Sequence, residues 1–79
     1  MLFRSAIISP NPSNDYFTIN FKNVVKNTTI EVYNLIGQLV ANNKVDNVDE
    51  YVLQDLKNGV YLVKISNESE TITKQIIKQ

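Results

Sequence analysis

Gly59-Val60-Tyr61-Leu62-Val63-Lys64-Ile65 is the stretch on which the fold turns. β-Branched and aromatic residues fill it and both faces carry apolar side chains, so residues 60–65 read as a strand placed centrally in a sheet. Tyr61, Val63 and Ile65 form its core-facing set. Upstream, Asp55-Leu56-Lys57-Asn58-Gly59 reads as a turn with glycine at its end and Leu56 tucked onto the core, preceded by a strand at 48–53. Downstream, residues 67–70 read as a hairpin turn, and 71–78 as a last strand that needs a neighbour to pair with.

The same period of two runs back to the N-terminal side. Residues 28–34 put Ile30 and Val32 on one face and Thr29, Glu31 and Tyr33 on the other. Asn34-Leu35-Ile36-Gly37 is a turn signal, because glycine tolerates the positive φ that closes a hairpin, and residues 38–42 return as the partner strand. Residues 16–21 alternate strictly, with Phe17, Ile19 and Phe21 as core candidates, and residues 22–27 read as a polar link. Residues 6–9 form a short first strand ended by Pro10-Asn11-Pro12, where two prolines remove two backbone donors and favour an extended connection. Seven short strands without a helical stretch predict an all-β, immunoglobulin-like sandwich of antiparallel strands. The strand order is not contained in the pattern.

Composition narrows the function. No histidine or cysteine is present, which removes the commonest general base, the commonest metal ligand, the thiol nucleophile and any disulfide. Eight basic and eight acidic side chains cancel, so the basic excess of a nucleic-acid-binding domain is missing. Apolar runs are only a few residues long, against the ~20 that a membrane-spanning helix needs. Met1-Leu2-Phe3-Arg4 is too short for a secretory signal peptide; residues 1–7 read as a linker, an artificial start or the lead-in to the first strand. Eleven asparagines sit mostly between the apolar runs, where they favour turns. No nucleophile elbow or phosphate-cradling glycine loop can be assembled, so neither an enzyme nor a cofactor site is expected.

Four motifs then stand in order: Ser9-Pro10-Asn11-Pro12; Val32-Tyr33-Asn34 leading to Gly37-Gln38-Leu39-Val40; Leu56 with Gly59-Val60-Tyr61-Leu62-Val63-Lys64-Ile65; and Thr73-Lys74-Gln75-Ile76-Ile77-Lys78-Gln79. In this order and spacing, over residues 8–79, the chain closely resembles the C-terminal sorting domain of the bacterial type IX (Por) secretion system. Ser9 departs from the pattern, many members carrying an aromatic residue there. The resemblance implies a Bacteroidetes-type export signal without catalysis of its own. It implies a larger cargo on the N-terminal side in the same chain and passage through the periplasm to the cell surface or medium. It also implies the outer-membrane translocon and shuttle proteins as partners, and a sortase-like peptidase that removes the domain. The alternative is a non-catalytic carbohydrate-binding or adhesion module of a secreted protein, or a spacer.

Within that resemblance Pro10, Asn11, Pro12, Asn34, Gly37, Gln38, Gly59, Val60 and Tyr61 read as mainly structural. Lys74, Gln75, Ile76, Ile77, Lys78 and Gln79 are the candidates for recognition by the translocon or its receptor, through strand or side-chain contact, because a terminal strand with cationic and apolar side chains is a docking edge. The same lysines also discourage aggregation, and such an edge offers a route to self-association. Asp46, Asp49, Glu50 and Asp55 lack the spacing of a calcium loop and read as a solvated acidic edge. The glycosylation-like triplets at Asn27 and Asn67 carry little weight in a chain so rich in asparagine.

Overall fold

A computed structural model describes residues 6–79 and contains seven strands. These are β1 (Ile7–Ser9), β2 (Phe17–Val25), β3 (Thr28–Asn34), β4 (Leu39–Val45), β5 (Val48–Leu53), β6 (Gly59–Ser66) and β7 (Thr71–Lys78), with no helix among the described residues. They build a three-stranded sheet, β1-β2-β5, and a four-stranded one, β4-β3-β6-β7. All five strand pairings are antiparallel. This is the immunoglobulin-like sandwich that the alternation implies. The opening stretch, β6, lies inside its sheet between β3 and β7, as its two apolar faces require.

The core is the sum of the alternating inner faces. Phe17, Ile19 and Phe21 of β2 are fully buried against Ile30 and Val32 of β3, Val63 and Ile65 of β6, and Ile76 of β7. Register aligns the rows: Val32 lies opposite Val63, Ile30 opposite Ile65, and Ile65 in turn opposite Ile72. Each such side chain contributes about 1.5–3 kcal/mol by leaving water. Leu56 packs against this cluster from the β5–β6 turn, as expected.

The bounds of β1, β2, β4 and β6 differ from the pattern, by one residue except where two strands run further on. β2 runs on to Val25 through the stretch expected as a polar link, because Lys22 adopts φ 72° and the strand bulges there. The Asn20 side chain holds the bulge by accepting the Lys22 amide at 2.9 Å, and Val25 re-enters the core opposite Val48. A bulge breaks strict alternation, which is why the period ends at Phe21. β4 likewise runs beyond Asn42 to Val45, its exposed Asn43 and Lys44 held by backbone pairing to Ile30 and Thr29. An edge strand needs one neighbour, not an apolar face.

Several tight corners use left-handed backbone: Asn27 at φ 47°, Asn47 at φ 60° and Asp55 at φ 65°. Asparagine and aspartate adopt this conformation more readily than other non-glycine residues. The chain between β1 and β2 leaves the three-stranded sheet, touches β7 of the other sheet and returns. The Ser9–Pro10 and Asn11–Pro12 peptides in this excursion are both cis.

Candidate functional site

The four motifs, far apart in sequence, meet at one end of the four-stranded sheet. Asn34, the last residue of β3, lies opposite Tyr61 of β6, and Tyr61 lies opposite Ile76 of β7. In the same corner Val60 pairs with Ile77, and Gly59 with Lys78. Gly59 has φ 155°, a backbone conformation that L side chains rarely adopt, and it lies beside the Tyr61 ring. The Tyr61 hydroxyl donates to the Lys57 carbonyl at 2.6 Å, tying the start of β6 to the turn before it. This is the tyrosine corner of immunoglobulin-like sandwiches.

The β3–β4 turn is organised by one side chain. Asn34 Oδ1 accepts the amides of Ile36 (3.1 Å) and Gln38 (3.0 Å), and its Nδ2 donates to Gln38 Oε1 (2.8 Å). Gly37 follows at φ 89° and donates its amide to the Asn34 carbonyl at 3.0 Å. The motif Asn34…Gly37-Gln38 is therefore a hydrogen-bonded unit in which the glycine supplies the backbone and the asparagine the acceptor.

The Pro10-Asn11-Pro12 motif is bound to the C-terminal motif. Asn11 Nδ2 donates to the Gln75 carbonyl at 2.9 Å, and its Oδ1 accepts the Ile77 amide at 3.0 Å. One residue beyond Pro12, the Ser13 amide donates to the Ile77 carbonyl (3.0 Å) and the Gln79 amide donates to the Ser13 carbonyl (2.8 Å). Ser13 and Lys78 thus form a parallel bridge. Ser13 is itself buried and fixed, its hydroxyl donating to the Tyr16 carbonyl at 2.6 Å.

Pleating divides the six C-terminal recognition candidates. Ile76 is fully buried, its side chain part of the core. Gln75, Ile77 and Gln79 are exposed, Ile77 at 37%. Lys74 and Lys78 are half-buried. Lys78 Nζ donates to Asn58 Oδ1 at 3.3 Å, while Lys74 and Gln75 border, with Ile8 and Asn11, an open groove of about 350 Å³ between β7 and β1. Apart from the buried Ile76, this segment carries two cations, an isoleucine and two side-chain amides along β7 and just beyond its end.

Elsewhere, Asp46 accepts the Asn27 amide at 3.1 Å. Among the described residues no group of three or more His, Cys, Asp or Glu side chains could hold a metal ion. On the outer face of the four-stranded sheet, Tyr33 has its phenol pushed upward, by partial burial first and by the Glu31 carboxylate beside it second. The contacts that sequence reasoning missed are Asn11 on β7 and Tyr61 on Lys57. For Tyr61 the signal was available, a tyrosine just after a turn glycine; for Asn11 only its place between two prolines hinted at a fixed side chain.

The fold recurs in PorZ, an essential bacterial surface component of the type-IX secretion system of Porphyromonas gingivalis, with a TM-score of 0.77 at 15% identity. That match covers 95% of this chain but 11% of the PorZ chain, so the domain corresponds to a small part of that protein. No curated protein sequence matches. The profile of the secretion system C-terminal sorting domain, by contrast, matches residues 8–79, the span that contains all four motifs and the corner where they meet. On that match over nearly its whole length, the chain belongs to the C-terminal sorting domain family of type IX secretion.

Proposed function

We propose that this domain directs a larger cargo, attached on its N-terminal side, through the type IX translocon across the outer membrane, and that residues 74–79 form the part the machinery recognises. The sorting unit in this reading is residues 8–79; β1 begins one residue earlier, at Ile7, and residues 1–5 lie outside the described residues. The observation that carries the reading is the union of the C-terminal motif with the Pro10-Asn11-Pro12 motif, which orders a strand that local sequence alone would leave at the mercy of fraying. In this role the domain is a ligand and substrate: it passes the periplasm folded, engages shuttle and translocon proteins, and is then cut from its cargo by a sortase-like peptidase. Of the candidates, Gln75, Ile77 and Gln79 present their side chains outward, Lys74 and Lys78 lie at the rim, and Ile76 acts through packing.

The test is a periplasm-targeted fluorescent reporter carrying residues 8–79 at its C-terminus, expressed in a bacterium with a type IX system and in a translocon-deficient strain. Reporter at the surface or in the medium of the first strain, and retained in the second, is the expected result. Removing residues 74–79 should retain it in both. Retention of the intact, folded fusion in both strains would sink the proposal.

A further inference from the structure

A sandwich of two open sheets has four edge strands, each a template for pairing with another chain. Three carry familiar protection. β1 is three residues long, β4 exposes Asn42, Asn43 and Lys44, and β5 exposes Asp49 and Glu50. β7 is the longest of the four: it spans eight residues and, beside the protective Lys74 and Lys78, includes Ile72, Ile76 and Ile77 with Thr71 and Thr73, residues that favour strand addition. The outward groups of Thr71 and Thr73 and the Gln75 amide come first along this edge, and its last four outward groups are the Gln75 carbonyl, both backbone groups of Ile77 and the Gln79 amide. All four are occupied, two by the Asn11 side chain and two by the Ser13 backbone.

We propose that the Asn11–Ser13 segment is a guard that closes the C-terminal end of the β7 edge, from the Gln75 carbonyl onward, against pairing with a second copy of this chain. Its chemistry suits that task. Pro10 and Pro12 have no amide to offer, so the guard completes the edge without extending the ladder to a further strand. Asn11 supplies a donor and an acceptor from one side chain, replacing the backbone amide and carbonyl that an added strand would bring. Being tethered through β1 and β2, the guard acts at an effective concentration of roughly millimolar and outcompetes a free second copy at lower concentrations. In consequence the end of the C-terminal motif, from the Gln75 carbonyl onward, is offered to partners through its side chains. The inference stands apart from the export reading, and its test requires no secretion.

The experiment compares the native chain with Asn11→Ala and Asn11→Asp by sedimentation velocity over a concentration series, with amide hydrogen exchange read at Ile77. Asn11→Ala removes both side-chain contacts. It should exchange the Ile77 amide about tenfold faster and self-associate at concentrations at least about tenfold lower than the native chain. Asn11→Asp keeps the acceptor for Ile77 and loses the donor to Gln75, and should fall between; it carries the test if Asn11→Ala loses its native circular dichroism. A variant whose β7 amides exchange faster yet stays as monomeric as the native chain overturns the proposal. So does Ile77 exchange that Asn11→Ala leaves unchanged.

Discussion

Tyr61 has two duties: its ring is buried with the core, and its hydroxyl holds the Lys57 carbonyl at 2.6 Å. Tyr61→Phe keeps the first and removes the second, so it should cost about 0.5–1.5 kcal/mol, seen as a lower urea midpoint at unchanged slope. Period and residue type identified the ring as core but not the hydroxyl contact, because hydrogen-bond partners of a side chain are set by the turn it meets. Tyr33 gives a second residue-scale prediction. Its phenol is held above the ordinary tyrosine value by partial burial and by Glu31, so the folded state favours the neutral form. That contribution is complete below the unfolded value and fades as pH rises through the folded one. Spectrophotometric titration of the native chain should therefore show a late-ionising phenol that is missing in Tyr33→Phe.

At the scale of the element, β7 alternates between packing and presentation. Ile76 is fully buried whereas its neighbour Ile77 is 37% exposed. Ile76→Ala should cost about 2–5 kcal/mol, with export falling because the domain unfolds. Ile77→Ala should leave the melting temperature nearly unchanged, so any loss of reporter export reports on recognition alone. Strand bounds were legible where turn residues bracket an apolar run: residues 28–34, 48–53 and 71–78 coincide with β3, β5 and β7. They failed where backbone geometry overrides the pattern, at the Lys22 bulge, and where pairing alone sustains a polar edge, at Asn43 and Lys44.

At the scale of the whole molecule, the fold class followed from seven alternating runs, but the convergence of motifs did not. Asn11 and Ile77 are 66 residues apart, and nothing in local periodicity reports a contact of that range. It becomes visible only when the chain closes its two sheets and its first crossing segment lands on its last strand. That contact also gives the domain a direction of mechanical strength. A pull between the N-terminal side of β1 and the end of β7 loads first the pairing of β1 with β2. It also loads the parallel Ser13–Lys78 bridge, whose two hydrogen bonds run across the paired segments. Pulled from opposite ends, such a parallel pairing shares the load between its bonds in shear, so a machine drawing on the domain along this axis works against both at once, and the lifetime under load is set by the unfolding rate.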